Sequence, residues 1–529
     1  MTGSHGSDGG QRADGSFVLA VDLGTGGPKV GLVSFDGRIA WWAHHRVETT
    51  LGPHGSVTQD AENWWRLVVD ATRRGLAETG LRGEQVVAVC VTGQWASTIP
   101  VDAAGVPVGP CVMWMDTQGA PHSRRVIAGR VQGYRGRALA TWIRHSGGVP
   151  STSGDDPIGH MLHLDRDRPE ISGKARWYLE PVDYLSMRFT GVAAASHMSM
   201  TAAWLTDNRR LDVLEYDARL VQMAGVDPAK LPPLVPSGSV IAPVQPTVAA
   251  ELGISPSARV VTGMPDLHGA TVGSGCVLEH EAHLSIGTTG WIGCPLPTKK
   301  TDVLRQMATV PGLGTEGYLL GNNQESAGRC LQWFRENVAG GLDGRQPHYD
   351  DVTALAATAP AGSGGVIFTP WLKGERSPVD DRSARAGFHN VSLASSHAHL
   401  ARAVLEGVAY NLRWLLEAAE HFAGCRLDPL RAIGGGAQSE LWCQIVADVC
   451  DRTVERVAEP LLCGLRGAAI GAGLAIGEVT AREVRSLVPT DRTFRPDPRN
   501  RATYDRLFAE FPRLYKAQRP MFGRLNRRA

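Results

Sequence analysis

Residues 17–42 read FVLAVDLGTGGPKVGLVSFDGRIAWW. An apolar run ends in a single carboxylate, Asp22, and Gly-Thr-Gly-Gly follows at once. A second apolar run, VGLVSF, leads to Asp36-Gly37, which tolerates positive φ at both turn positions and so joins two strands tightly. The segment therefore predicts a three-stranded antiparallel meander. Sheet packing accounts for its apolar residues but not for Asp22 beside Gly24, Thr25 and Gly26. The pattern returns at 282–294 as AHLSIGTTGWIGC, again a strand, a tight Gly-Thr turn and a strand. Two such hairpins in one chain imply a loose internal repeat.

Between and beyond them strands and helices alternate, which implies an α/β protein. Asp60 is placed to cap a helix with Trp64, Trp65, Val68, Val69 and Leu76 on one face. QVVAVCVTG reads as a buried strand that ends at Gln94-Trp95. From about 120 to 250 the chain is rich in Gly, Pro, Ser and Arg, and its weak periodicity predicts an irregular insertion with short helices. ARVVTGMPDLHGATVGSG is a strand, a loop and a helix start, with Asp266 in the loop. NNQESAGRCLQWFRE and HAHLARAVLEGVAYNLRWLLEAAEHF read as helices, the latter from Leu400, Val404, Val408, Leu412, Leu415 and Leu416 at helical spacing. LRAIGGGAQSELWCQIVADVC is a strand, a glycine bend and a helix, with Leu441, Trp442, Ile445, Val446 and Val449 inward. A basic tail is expected from about Tyr515.

The totals exclude several classes. With 529 residues, 43% hydrophobic and 20% charged, the chain can bury a large core. Its formal net charge of +1 argues against a nucleic-acid partner. Nine scattered cysteines without a zinc-like spacing read as reduced thiols, and no apolar run is long enough to span a bilayer. Residues 1–15 lack the apolar centre of a signal peptide and read as a flexible tail. The expected location is cytoplasmic. There is no P-loop and no nucleophile elbow. GLGTEG at 312–317 matches a dinucleotide fingerprint by letter only, since a strand rather than a helix follows. His44-His45 and the pair His397 and His399 lack a metal-binding pattern.

Gly-Thr turns direct backbone N–H groups and a hydroxyl at one point, a way to hold phosphate oxygens without lysine. A carboxylate beside such a turn repels phosphate unless a cation intervenes, so Asp22 points to Mg²⁺, held largely through water. The glycine bend at 434–436 lets a ligand approach backbone, and the helix after it offers a positive dipole end. Asp266 adds a carboxylate able to orient an attacking hydroxyl. Metal, phosphate cradle, nucleotide pocket and orienting acid are the parts of phosphoryl transfer.

With these residues in view, the chain resembles the FGGY carbohydrate kinase family of the actin-like ATPase superfamily, and most its xylulokinase-like branch. The resemblance runs from Phe17 to about Leu487. It is carried by VDLGTGGPKV, TGQWAS, VMWMDTQG, VDYLSMRFTG, GMPDLHGATVGSG, SIGTTG, AGRCLQW, PWLKGERSP, HLARAVLEGVAYNLR and GGGAQSELWCQIVAD. It implies two ribonuclease H-like α/β domains with a central cleft: a sugar-binding domain over 16–257 and a nucleotide-binding domain over 258–529. It also implies ATP and Mg²⁺, with Asp266 as catalytic base and Asp22 and Asp266 near the metal. Thr25, Thr288 and Thr289 match the phosphate loops. Gly328, Gln332, Gly435, Gly436, Ala437 and Glu440 match nucleotide-contacting positions. Gln94, Trp95, Ala96 and Asp116 fall on the sugar side, together with Asp266. The implied partners are a small sugar or polyol and ATP, with no membrane, and a homodimer is left open.

The chain departs from the family at several of these places. Trp95-Ala96 stands where xylulokinases have Met-His, which replaces a hydrogen-bonding imidazole by a methyl group. Val182 replaces the lysine before Asp183, and His197 and Met200 replace acidic residues, so a less polar sugar pocket is expected. Gly26 replaces a Ser or Thr, and Pro28 removes a backbone donor. The function implied is transfer from ATP to a hydroxyl of an open-chain sugar. D-Xylulose is the first acceptor expected, and another ketose or polyol is the alternative. A nucleotide or sugar sensor on the same fold is the other alternative.

Overall fold

The computed structural model describes residues 15–131, 133–340 and 346–526. Most of the tail expected over 1–15 lies outside these residues. The opening meander forms as read: β1 (Phe17–Gly24), β2 (Gly27–Ser34) and β3 (Ile39–His44) pair antiparallel in succession. Gly37 takes φ +79° at the Asp-Gly turn. α1 (Ala61–Thr79) starts where Asp60 accepts the Glu62 N–H and ends at left-handed Gly80. Trp64, Trp65, Val68 and Val69 are buried against the sheet.

β4 (Val86–Gly93) then lies parallel to β1 and completes the centre of the first sheet. Over the expected insertion the helices are short, as read, but they enclose a core of their own around Trp142, Met161, Leu162 and Leu220. α2 (Pro181–Thr190) leads out of it, and β5 (Val240–Pro243), β6 (Arg259–Val261) and β7 (Met264–Pro265) rejoin the first sheet. The strand order is β5-β6-β4-β1-β2-β3, with β7 also on β4. The expected division at 257/258 thus separates two neighbouring strands, β5 and β6. The first sheet runs on to β7, at Pro265, and α3 (Asp266–Gly273) follows.

The second half repeats the device. β8 (Ala282–Ile286) and β9 (Gly290–Gly293) form the Gly-Thr hairpin, and β8 lies parallel to a later strand, as β1 does to β4. α4 (Gly328–Asn337) begins later than NNQESA predicts. The Asn322 side chain exchanges hydrogen bonds with the Ile292 backbone at 3.0 and 2.7 Å, and Gln324 pairs with Gly290, so these residues serve the edge of β9. α5 (His397–Ala423), β10 (Leu430–Ile433), α6 (Glu440–Cys450) and β11 (Val454–Val457) follow. Of the residues read as inward on α6, only Leu441 is half-exposed.

α7 (Cys463–Ile476) leaves the second half and packs on the first. Leu465, Ala468, Ala469 and Ala472 cover Val18, Ala20, Ala88 and Cys90 on one face of the first sheet. β12 (Thr490–Phe494) completes a second sheet of order β9-β8-β10-β11-β12. The described part of the tail expected from Tyr515 continues α8 (Arg501–Leu525), because Phe511, Tyr515 and Phe522 pack around Trp371. Gly312 and Gly317 close a hairpin between strands, which removes the dinucleotide reading of GLGTEG. No helix among the described residues is long and apolar enough to cross a membrane.

Candidate active site

The antiparallel register of β1 and β2 sets Asp22 opposite Lys29. The ammonium donates to Asp22 Oδ2 at 2.8 Å, and the carboxylate's charge holds Lys29 above the usual lysine range. Helix α7 begins against the same carboxylate. A Cβ on Gly464 would lie 2.5 Å from Asp22 Oδ2, so only glycine lets the helix come this close. α7 also crosses α3 through glycines, since a Cβ on Gly467 would lie 1.9 Å from the Gly269 carbonyl oxygen. This crossing brings the first residue of α3, Asp266, toward Asp22.

Asp266 is exposed, yet protein walls surround it. Their desolvation lifts its carboxyl to about 6; the Leu267 N–H, donating to Oδ1 at 2.7 Å, opposes the rise, and the charge of Asp22 adds to it.

The second hairpin turns at Gly287, Thr288 and Thr289, where the Gly287 N–H donates to the Thr289 carbonyl at 3.0 Å. Thr288 is exposed and Thr289 half-buried. The start of α4 sits on this turn: Ala327 N–H donates to the Thr288 carbonyl at 3.0 Å and Gly328 N–H to that of Gly287 at 2.7 Å. The glycine bend lies against the end of β8, with Gly436 on Ile286 and open space beside Gly435. Gly434 N–H bonds the Pro460 carbonyl, just before α7, so the bend and Asp22 are tied to one helix start. Thr288, Thr289, Gly328, Gly435 and Gly436 therefore come together. Three other expected positions do not join them as open contacts. Ala437 is fully buried, exposed Gln332 donates to Glu336 at 2.9 Å, and exposed Glu440 pairs with Arg456 and Arg492.

On the other side, the turn 94–97 follows β4. Gln94 is buried, and both atoms of its side-chain amide lack a partner among the described residues. Trp95 donates its indole N–H to the Ser199 carbonyl at 3.0 Å and stands edge-on to His268. Ala96 adopts φ +63°. Behind the turn, Glu180 accepts the Ser97 N–H, and burial pushes the carboxyls of Glu180 and Asp183 well above the usual range.

Asp116 differs from its expected place on a sugar wall. It is buried, and its oxygens accept the N–H groups of Val57 at 2.7 Å and Gln118 at 2.8 Å, so it clamps a turn. His197 and Met200 are likewise core: both His197 ring nitrogens have partners, Asn208 and the Val213 carbonyl. Val182 is buried against Gly263. These three replacements fill the interior and do not make a pocket less polar.

Three residues without a sequence-based role enter the site. Lys29 was legible, because hairpin pairing sets it opposite Asp22. Trp114 donates its indole N–H to Thr25 Oγ1 at 3.1 Å and its backbone N–H to Ser97 Oγ at 3.0 Å, and so bridges the first hairpin and the turn 94–97. Lys373, from the second half, stands over the Trp114 ring. The last two lie in the stretches VMWMDTQG and PWLKGERSP, which carry the family resemblance, but nothing in those stretches assigns either residue a role.

Known proteins match the chain along nearly its whole length. The models of the FGGY family of carbohydrate kinases match residues 17–273 with the N-terminal domain and 282–476 with the C-terminal domain. A xylulose kinase of Staphylococcus epidermidis is 26% identical over 507 residues, 94% of this chain and 96% of its own. A gluconokinase of Bacillus subtilis is 24% identical over 448 residues, 83% of this chain and 84% of its own. The ligand-bound xylulose kinase structure from Lactobacillus acidophilus superposes with a TM-score of 0.83 at 22% identity, covering 97% of this chain and all of that one.

Proposed function

The chain belongs to the FGGY family of carbohydrate kinases and is an ATP-dependent sugar kinase, and on that footing we propose that it phosphorylates a hydroxyl of an open-chain sugar or sugar acid held by the turn 94–97. The observation that carries the reading is the convergence of Asp22 and Asp266 at the start of α3, beside α7. Asp266 accepts the acceptor's hydroxyl proton and aims its oxygen. A loose transition state asks for little early proton removal, so orientation is the larger part of this task. Thr25, Thr288 and the backbone N–H groups around them hold the outer phosphates, while Gly435 and Gly436 line the adenosine. Gln94 and Trp95 bound the acceptor. The second half carries the nucleotide and the first half, through α3, the acceptor.

The two carboxylates fit Mg²⁺. Asp22 raises the pKa of Asp266, and a cation between them would relieve that repulsion. When bound, the ion supplies positive charge to the phosphates during transfer. Lys29, bonded to Asp22 Oδ2 at 2.8 Å, holds that carboxylate in place.

D-Xylulose and D-gluconate are the first acceptors to test, since relatives bear both names. ADP release over a panel of ketoses, aldonates and polyols should find turnover with at least one of them. ADP release confined to non-sugar acceptors would sink the reading. The role of Asp266 also sets the pH profile. With its carboxyl at about 6 without the metal, and lower once a cation relieves the repulsion from Asp22, kcat/KM for the acceptor should fall as pH drops below about 6 and Asp266 takes up a proton. A profile flat across that range would remove Asp266 as the titrating base.

A further inference from the structure

The segment Pro370–Pro378 crosses from the second half to the acceptor side. Its Lys373 is exposed, and its ammonium stands 5.9 Å from the centroid of the Trp114 ring. Contact between an exposed ammonium and an indole face is weak and yields readily to an anion. Trp114 itself is fixed, bonded to Thr25 on one side and Ser97 on the other. The ammonium therefore overhangs the seam between the first hairpin and the acceptor turn.

The surrounding wall offers it no carboxylate. Asp116 is buried with both oxygens on backbone N–H groups. Glu180 and Asp183 are buried, and their carboxyls are held toward the neutral form. Asp22 already pairs with Lys29. Among the described residues no carboxylate oxygen lies within 4 Å of the Lys373 ammonium, whose neighbour is the Trp114 ring.

The turn 94–97 also gives an acceptor a direction. At one end Trp95 abuts His268, two residues beyond Asp266 on α3. At the other, Ser97 holds Trp114 beneath Lys373. An open chain laid along this turn has its reacting hydroxyl at the Asp266 end and its far end under the ammonium. A carboxylate at that far end supplies the missing charge.

We propose that Lys373 is a specificity residue that pairs with the carboxylate of a sugar acid of the aldonate class, so that the protein selects an acidic open-chain acceptor over its neutral counterpart. This rests on the placement of the acceptor along the turn 94–97.

The test uses the full chain and its Lys373→Met and Lys373→Arg variants, with thermal unfolding recorded for each. ADP release is measured with D-gluconate and with D-glucitol, open chains of equal length that differ by a carboxylate against a hydroxymethyl group. The unaltered protein should prefer gluconate by about tenfold or more in kcat/KM. Lys373→Met should bring that ratio close to unity, Lys373→Arg should keep most of it, and KM for ATP should stay constant. The proposal is overturned by three results: preference for the neutral acceptor, an unchanged ratio in Lys373→Met, or equal losses on both acceptors. The last would place Lys373 on the transferred phosphoryl group. Turnover of D-xylulose without any aldonate would also overturn it while leaving the sugar kinase intact. Failure of every acceptor class would strike the sugar-kinase reading itself.

Discussion

Replacing Asp266 by alanine is expected to lower the rate of phosphoryl transfer by about three orders of magnitude, with ATP affinity within about threefold of the unaltered protein. The carboxylate sits at the first position of α3, open to the space between the halves, and no backbone except its own neighbour depends on it. Its removal therefore takes away the proton acceptor and the group that aims the hydroxyl, but little packing. Asp266→Asn separates the two tasks: it keeps the shape and a hydrogen-bond acceptor but cannot take a proton. Single-turnover ADP release and calorimetry with ATP measure both quantities. Turnover surviving in Asp266→Ala would show that another group aims the acceptor.

The second large effect is expected at Gly328. A Cβ there would lie 2.6 Å from the Gly287 carbonyl oxygen, the same atom that accepts the Gly328 N–H. Backbone has to move to admit it, and what moves is the turn that presents Thr288 and Thr289. Overpacking of this kind costs about 1–3 kcal/mol. Paid at the phosphate turn, it should appear as a rise in the dissociation constant for ATP of about tenfold to a hundredfold in Gly328→Ala. Thermal unfolding distinguishes a displaced turn from a damaged core. Unchanged ATP affinity would mean that the turn 287–289 does not hold phosphate.

Residues whose structure is dictated by close neighbours were legible. Asp36-Gly37 turns the chain, Asp60 caps α1, and the Gly-Thr turns double their strands back, because each uses hydrogen bonds or φ values within a few residues. Asp22 was legible as chemistry because a charge at the end of an apolar run has little packing to explain it, and Asp266 as a loop carboxylate before a helix to which the family resemblance gave a role. What escaped depends on distant partners. Asp116 reads as a sugar-side carboxylate until Val57, brought beside it by folding, donates to it. NNQESA reads as helix until Ile292 claims Asn322. The division at 257/258 came from the family resemblance, whereas the first sheet recruits β6 and β7 from beyond it. Lys373 acquires meaning only when the halves face one another.

The crossing of α7 to the first sheet bears on how the chain is made. Val18, Ala20, Ala88 and Cys90 emerge from the ribosome early, but the helix that covers them spans residues 463–476. For most of translation the nascent first half carries a bare apolar face, a condition that invites aggregation and chaperone capture. A message truncated before that helix yields a first sheet with one side unfinished, so neither half is a natural unit for separate expression.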